Sequence, residues 1–296
     1  MDLQTLSQFF FSGLSTGCIY ALVALGYVLC FNATRVINFA QGEYVMIGGL
    51  VAASTVALGL QLWLGVALAI ICGGIVGLLQ ERATLAPVRN SPDYIRITLT
   101  LGFAVVARGL ALLIWGKDPY PLSGFSGDDV FFLLEAVLPV QTLWIWGLTL
   151  LVLVGTFLFL GRTRWGRAVR ACSDNRVAAR LMGINPDRVS LLVFIVGGAI
   201  GALGGAVVTP VTLASYGVGL DFGVKGFIGA LVGNYRHPGR AVAGGIALGV
   251  IETLAAGYVS SGSRDIVVYG LLVVFLLVTS GVLHRGRRTL QMAGRS

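Results

Sequence analysis

Long apolar runs without a charged side chain constrain this chain more than any other feature of its sequence. Residues 140–160 and 190–220 contain no Asp, Glu, Lys or Arg. A helix of about 20 apolar residues matches the roughly 30 Å thickness of the hydrocarbon layer of a bilayer. Charged residues make up only 11% of the chain, against about 25% in soluble domains. The sequence therefore predicts an all-α, polytopic membrane helical bundle with about eight or nine transmembrane segments.

Nine stretches have the composition of membrane spans, and we expect them to form one domain over residues 1–296. The predicted spans are 9–31, 36–57, 62–80, 97–115, 140–160, 190–210, 221–233, 241–258 and 266–283. The seventh is short enough to be a re-entrant helix. That alternative would place the basic C-terminal tail outside, so we expect a tilted or broken crossing. Glycines four residues apart, such as Gly13 and Gly17, predict that helix backbones approach closely.

The basic residues are distributed unequally between the two sides of this predicted bundle. Seventeen of the 21 Lys and Arg residues fall in the loops of one side, which are 32–35, 81–96, 161–189, 234–240 and 284–296. The loops of the opposite side hold only Lys117 and Arg264. Because Lys and Arg are enriched in cytoplasmic loops, we expect the N-terminus outside and the C-terminus in the cytoplasm. This topology explains the net charge of +8, so we expect a lipid bilayer and no nucleic acid as the partner.

One basic loop, Gly161–Val189, carries signals for a short helix and is called the basic cassette below. Ser173 or Asp174 is predicted to cap a helix over 175–182, and Gly183 to end it in the left-handed conformation. Orientation in the membrane needs positive charge but no helix cap and no glycine stop. The pattern therefore indicates docking to a cytoplasmic partner, with a loop that only fixes the topology as the alternative.

The basic cassette and the N-terminal part of the chain resemble known permeases. Ala178 and Ala179 followed by Gly183 are similar to the Glu-Ala-Ala-x-x-x-Gly signature of the coupling loop of bacterial ABC-importer permeases, with Val177 in place of the glutamate. The stretch 19–49, with its sequence Arg-Val-Ile-Asn-Phe-Ala-Gln-Gly-Glu, resembles branched-chain amino acid importer permeases and favours their H-type subunit. Further similarity covers 223–233 and 244–252.

The resemblance implies a set of partners. They are a second, M-type permease subunit, two cytoplasmic ABC ATPases, and a periplasmic or external solute-binding protein at a bacterial inner membrane. The implied function is half of the membrane pathway for a small polar solute, either a branched-chain or neutral amino acid or an amide such as urea. Small side chains at the two alanines would let the helix enter a cleft of the ATPase. The residues implied in this coupling are Arg176, Val177, Ala178, Ala179, Arg180, Leu181, Met182 and Gly183.

The chain itself is not expected to be an enzyme. It lacks the Gly-Lys-Ser/Thr sequence of a phosphate-binding P-loop, so ATP hydrolysis is expected on partner subunits. Its four cysteines and two histidines are scattered, so we expect no metal site, no cofactor and no catalytic residue. An ion-coupled secondary transporter of small solutes and a passive channel are the alternative functions.

Polar and ionisable residues within the predicted spans are the candidates for the translocation path. A charge in a bilayer costs at least about 2.5 kcal/mol on insertion scales, so such residues face the protein interior and find partners. Lys225 and Glu252 are expected to pair, either as a packing ion pair or as substrate contacts. Asn38, Gln41 and Glu43 predict a polar break at the start of the second span, either lining a cavity or acting as a structural cap.

Overall fold

The computed structural model describes residues 3–258 and 265–277, and this part of the chain is dominated by helices. The helices are α1 (Leu3–Thr34), α2 (Gln41–Ala57), α3 (Leu62–Gln80, continued by a π-helical turn Glu81–Leu85), α4 (Asp93–Trp115), α5 (Gln141–Arg162), α6 (Arg164–Asp174), α7 (Arg176–Leu181), α8 (Pro186–Thr212), α9 (Val218–Val232), α10 (Pro238–Tyr258) and α11 (Asp265–Leu277). Each of the nine predicted spans contains a helix among its described residues. The predicted polytopic helical bundle is confirmed.

Six of these helices are long and apolar enough to cross a membrane, namely α1, α3, α4, α5, α8 and α10. By contrast, α2 has 17 residues and α9 has 15. At 1.5 Å per residue these two helices are about 25 and 22 Å long, shorter than a bilayer of about 30 Å. The number of crossings therefore stays a prediction. The end of the ninth predicted span, 278–283, and the tail 284–296 lie outside the described residues.

A small antiparallel hairpin interrupts the helical pattern between α4 and α5. Its two strands are β2 (Val130–Leu133) and β3 (Ala136–Pro139), which pair with each other, and a further short strand, β1 (Phe125–Asp128), precedes them. The side-chain amide of Gln8 in α1 donates to the Val137 carbonyl at 2.9 Å and accepts from the Val137 N–H at 2.8 Å. The hairpin is thus fixed to the start of α1. An all-α prediction misses it because four-residue strands carry little sequence pattern.

Glycines bring the long helices into backbone contact. A methyl group added to Gly249 would lie 2.3 Å from the Cα atom of Gly17, which joins α10 to α1. One added to Gly73 would lie 2.5 Å from the carbonyl oxygen of Gly198, which joins α3 to α8. Small residues at such positions favour helix association in lipid, where no hydrophobic effect drives it. The predicted close approach of the helix backbones is confirmed.

The helix α2 begins inside the bundle rather than at its edge. Residues 35–40 are not helical, and Gln41 lies against Gly26 of α1 and Gly197 of α8. Gly26 is eight residues from the last residue of α1, which corresponds to about 12 Å of helix. Gly197 is eleven residues from the first residue of α8, or about 16 Å. The start of α2 therefore lies near the middle of a layer about 30 Å thick.

The start of α9 meets the start of α2 at this depth. A methyl group added to Gly42 would lie 2.0 Å from the carbonyl oxygen of Gly219 and 2.5 Å from the Cα atom of Gly223. Both helices thus begin next to each other, each after a non-helical segment. A short helix at 221–233 is compatible with a tilted or broken crossing and also with a re-entrant helix, so the expected crossing stays a prediction.

Candidate functional site

The polar break before α2 is buried among protein groups. Asn38, Tyr44 and Gln80 are buried and form a closed set of hydrogen bonds. The Gln80 amide donates to Asn38 Oδ1 at 2.5 Å, and the Tyr44 hydroxyl donates to Gln80 Oε1. The Gln41 amide donates to the carbonyl oxygen of Gly197 at 3.0 Å. The backbone N–H groups of Phe39 and Ala40 donate to Thr100 Oγ1 and Asn38 Oδ1, each at 3.2 Å, so most of this non-helical segment is satisfied within the protein, as such a segment requires at membrane depth. Gln41 Oε1 is buried without a hydrogen-bond partner among the described residues.

Glu43, in the first turn of α2, pairs with a residue for which the sequence suggests another role. Arg108 lies towards the end of α4 predicted to be external, where snorkelling to the interface is common. Instead its guanidinium donates to Glu43 Oε1, and Glu43 is buried. The other carboxylate oxygen, Oε2, has no hydrogen-bond partner among the described residues. It lies beside Gly219 at the start of α9, where the positive end of the helix dipole stabilises negative charge.

Lys225 and Glu252 form the predicted ion pair. The Lys225 Nζ atom lies 2.8 Å from Glu252 Oε1 and 3.2 Å from an oxygen of Asp265 at the start of α11. The Tyr20 hydroxyl donates to the other carboxylate oxygen, Glu252 Oε2, at 2.7 Å. Lys225 and Glu252 are both buried. The group therefore ties α1, α9, α10 and α11 together with charge-assisted hydrogen bonds, which are stronger than neutral ones.

A cavity of about 360 Å³ lies beside this ion pair, and we call it the outer cavity. It is enclosed by the first turns of α1, the end of β3, the end of α8 and the start of α9. Its wall combines hydroxyl and charged groups with apolar side chains and includes Ser12, Ser15, Tyr20, Val208, Phe222 and Lys225. Of the five candidates for the translocation path, Lys225 lines the outer cavity. Asn38, Gln41, Glu43 and Glu252 are not in its wall.

Asp221 also lines the outer cavity, and its carboxylate is available. Its side chain is exposed and forms no ion pair within the described part of the chain. Among the described residues, three carboxylates, those of Asp221, Glu252 and Asp265, interact with the one cation Lys225, so this described group carries more negative than positive charge. The sequence places Asp221 among the ionisable residues in or near the predicted spans but indicates no specific partner for it. The signal that finds it is its place four residues before Lys225, which puts both side chains on one face of α9.

The basic cassette folds as two short helices, α6 and α7, and the predicted cap of the second helix is wrong. The Asn175 side chain accepts from the backbone N–H groups of Val177 at 3.0 Å and Ala178 at 3.1 Å. Ser173 and Asp174 instead form the last turn of α6. They cannot cap α7 because the preceding helix, which sequence reasoning missed, already includes them.

The end of α7 is as predicted, and the helix presents apolar side chains outwards. Gly183 has φ of +82° and ends the helix in the left-handed conformation. The exposed fractions of Val177, Leu181 and Met182 are 71%, 83% and 83%. Two large apolar side chains of this six-residue helix, and that of Met182 directly after it, are therefore exposed.

The two alanines of α7 differ in their surroundings. Ala178 is exposed, whereas Ala179 is 4% exposed and packs in an apolar cluster with Val169, Cys172 and Val189. A small residue at 179 is thus required by packing within this chain, and the cleft of a partner can only be entered by Ala178. Burial raises the pKa of the Cys172 thiol in the same cluster.

Residues 9–277 match the family model described as branched-chain amino acid transport system / permease component. The chain belongs to this permease family. The permease is 32% identical to LivH of Escherichia coli (strain K12), a high-affinity branched-chain amino acid transport system permease protein, over 94% of this chain and 95% of LivH. It is 30% identical to BraD of Pseudomonas aeruginosa, which has the same description, over 93% of this chain and 94% of BraD.

A more distant relative of the permease is the ribose import permease protein RbsC of Escherichia coli (strain K12). The two are 26% identical over 85% of this chain and 76% of RbsC. The predicted resemblance to the Liv-type permeases is confirmed. The protein is a multi-pass membrane protein and a membrane transport component.

Proposed function

We propose that this permease is a subunit of a binding-protein-dependent ABC importer in a bacterial inner membrane. It forms half of the membrane pathway, and a second, M-type permease subunit forms the other half. Two cytoplasmic ATPases supply the energy, and an external solute-binding protein delivers the solute. The exposed apolar face of α7 carries this proposal, because a capped helix with such a face fits a protein partner.

The structure of α7 supports a docking role in several ways. An isolated helix of six residues is unstable in water, but Asn175 fixes its start and Gly183 its end. Burying exposed apolar surface contributes about 25 cal/mol per Å², so Val177, Leu181 and Met182 favour contact with a partner. Arg180 is exposed next to them and can guide docking through charge. The helix is ordered before the partner arrives, which lowers the entropic cost of binding.

The connection from α7 to α8 supports a transmission role. The two helices are separated by residues 182–185, and the Asn185 side chain caps α8 by accepting from Asp187 N–H at 3.0 Å. Behind this link, α8 packs closely against α2 and α3. A displacement of α7 by the ATPases therefore reaches the broken helix α2. We propose alternating access on this route.

The chemistry of the outer cavity fits a neutral amino acid. Such a solute carries an ammonium group, a carboxylate and an apolar side chain. Asp221 can accept from the ammonium group, Lys225 can donate to the carboxylate, and Phe222 contributes apolar wall. A volume of about 360 Å³ falls in the range of small-molecule sites. We therefore propose branched-chain or other neutral amino acids as the solute.

In this proposal the five candidate path residues have different tasks. Lys225 lines the path, and Glu252 holds the Lys225 ammonium group in place. Asn38, Gln41 and Glu43 position the start of α2 beside α9 without touching the solute. Neutralising Asp221 by Asp221→Asn tests the solute contact, because the variant keeps the shape of the side chain but loses its attraction for an ammonium group.

The substitution Leu181→Asp tests the coupling role of α7. It puts a charge in the proposed apolar contact, so we expect normal amounts in the membrane, loss of co-purified ATPases and loss of solute uptake. Leu181→Met is the matched control because it keeps an apolar side chain of similar volume, and it should retain uptake. Normal uptake by Leu181→Asp would overturn the proposed coupling.

The energy source is tested by uptake of labelled leucine into vesicles containing the assembled importer. We expect uptake that requires ATP and the solute-binding protein, resists ionophores, and is inhibited by other neutral amino acids but not by urea. Uptake that follows a proton or sodium gradient without ATP would instead identify a secondary transporter.

A further inference from the structure

A second cavity, which we call the arginine pocket, lies at the base of α7. Its volume is about 340 Å³. It is enclosed by the end of α1, the segment between α3 and α4, the start of α4, the helix α7 and the start of α8. Five arginines line it, namely Arg35, Arg89, Arg96, Arg176 and Arg180. Arginines from four separate parts of the chain thus face one cavity.

The carboxylates around the arginine pocket leave part of this positive charge unpaired. Arg89 lies 3.1 Å from both Glu81 and Asp187, and Arg96 pairs with Asp93. Arg180 lies 3.9 Å from the same Asp187. In the described part of the chain, five arginines therefore share three carboxylates, an excess of two positive charges. An exposed cluster of this kind would be neutralised by water and salt, but a cavity limits both.

Two of the arginines have no carboxylate partner among the described residues. Arg176 donates to the carbonyl oxygen of Thr34 at 3.2 Å, and Arg35 donates to the carbonyl oxygen of Ser173. Burial is the largest cause that lowers the pKa of the Arg176 guanidinium; Cys172 and Asp187 act to raise this pKa, and the charges of Arg96 and Arg180 act to lower it. The Nε atom of Arg96 is buried without a hydrogen-bond partner in the described part of the chain. These groups would all be stabilised by an anion.

The arrangement of the arginines and the position of the pocket favour a phosphate group among anions. A phosphate group has several oxygens pointing in different directions, so it can accept hydrogen bonds from several guanidinium groups at once. The pocket lies between Thr34, the last residue of α1, and Pro186, the first residue of α8. The charge distribution predicts that these helix ends face the cytoplasm, at the depth of lipid headgroups. Basic pockets between helices at this level bind phosphate-bearing headgroups.

We propose that the arginine pocket binds a phosphate group, carried by an anionic lipid or present as free phosphate, and thereby holds α7 against α1, α4 and α8. The bound phosphate neutralises Arg35 and Arg176. It thereby fixes the inner side of α7, so that the apolar side chains on the outer side keep their position. Binding at this site is independent of which solute the permease carries.

The proposal is tested on the full-length permease purified with its co-expressed subunits in neutral detergent. The melting temperature Tm is measured with added phosphatidylglycerol, with phosphatidylcholine as the uncharged lipid, and with inorganic phosphate alone. A ligand at 100 times its Kd raises the Tm by about 5 °C for a protein of this size. We expect this rise with phosphatidylglycerol but not with phosphatidylcholine, and we expect added salt to reduce it.

Two variants decide whether the rise comes from the arginine pocket. Arg35→Gln combined with Arg176→Gln removes the two arginines without a carboxylate partner, and we expect it to abolish the rise. The matched control is Arg167→Gln combined with Arg170→Gln, which removes the same charge from exposed positions of α6 and should keep the rise. If the first pair lowers the basal Tm, its response to phosphatidylglycerol relative to phosphatidylcholine is still compared with that of the control.

Each outcome supports or overturns the proposal. A rise with inorganic phosphate alone that depends on Arg35 and Arg176 identifies free phosphate as the ligand. A rise with phosphatidylglycerol alone, with the same dependence, identifies the lipid headgroup. No rise with either ligand, or an equal rise in both variant pairs, overturns the proposal.

Discussion

The start of α2 and the helix α7 reverse the usual distribution of polar and apolar residues in opposite directions. At the start of α2, Asn38, Gln41 and Glu43 are polar and buried inside a membrane protein. On α7, Leu181 and Met182 are apolar and exposed. Most polar groups of the first region have hydrogen-bond partners within the chain. The apolar side chains of the second region have no such packing against the described residues. This difference fits the proposal that α2 is completed by contacts within this chain and α7 by contacts with a partner.

Mutations in the two regions should differ in their effects on stability and on binding. A buried polar group that loses its partner costs folding free energy, because water cannot replace that partner. An exposed apolar side chain can be changed with little effect on folding, yet with a large effect on binding. Four predictions follow this order, from the largest expected change in the free energy of unfolding to the smallest.

The largest loss is expected when the buried ion pair is broken. Lys225→Met leaves the carboxylate of Glu252 buried without its cation and should lower the free energy of unfolding by about 3–5 kcal/mol. Combining it with Glu252→Gln should be milder than the sum of the two single changes. A double-mutant cycle on the yield of folded protein measures this, and additive losses would show that the two side chains do not stabilise each other.

The next largest loss is expected in the polar set at the start of α2. Gln80→Leu removes the partner of both Asn38 and Tyr44, and we expect a cost of about 1–3 kcal/mol for each group left unsatisfied. Thermal unfolding in detergent measures the loss. The matched control is Gln8→Leu in the exposed contact to the hairpin, where water can replace the amide. An equal loss for both variants would remove the distinction between buried and exposed polar contacts.

A smaller loss is expected at the cap of α7. Asn175→Ala removes the acceptor for two backbone N–H groups and should cost about 1 kcal/mol, confined to this helix. Asn175→Asp keeps the acceptor and should retain stability. Solute uptake should fall in the first variant and not in the second, because α7 must be ordered to dock. Unchanged uptake in both variants would contradict a role for ordered α7.

The two alanines of α7 provide the sharpest comparison. Ala179→Trp should destabilise the fold, because 179 lies inside an apolar cluster, and so it cannot test docking by itself. Ala178→Trp should change the free energy of unfolding by less than about 0.5 kcal/mol but abolish association with the ATPases. Association is measured by co-purification from membranes. If Ala178→Trp keeps the ATPases bound, this face of α7 is not the docking surface.

Much of the fold could be predicted from the sequence because helices that cross a membrane must consist of long runs of apolar residues. Uncharged runs located the long helices, and two opposite charges on neighbouring spans predicted the pair of Lys225 with Glu252. Gly183 predicted the end of α7 because a left-handed residue ends a helix in a way that depends on few neighbours.

The rest depends on contacts between distant parts of the chain. The ion pair of Glu43 with Arg108 joins residues 65 positions apart, and the hydrogen bond between Asn38 and Gln80 joins residues 42 positions apart. No local pattern indicates which of several polar residues will meet in the bundle. The cap at Asn175 was missed for a related reason, since the helix before it has the composition of a basic loop.

The position of Gln41 has a consequence for the order of events during synthesis. Its amide bonds to Gly197, a residue 156 positions later in the chain. A ribosome adding about 5–20 residues per second needs about 8–30 s to make that stretch. During this time the Gln41 amide lacks the carbonyl group to which it bonds in the folded chain, and an unpaired amide is costly in lipid. The start of α2 therefore completes its hydrogen bonds only after α8 has been made, so the packing of these early helices is finished late in synthesis.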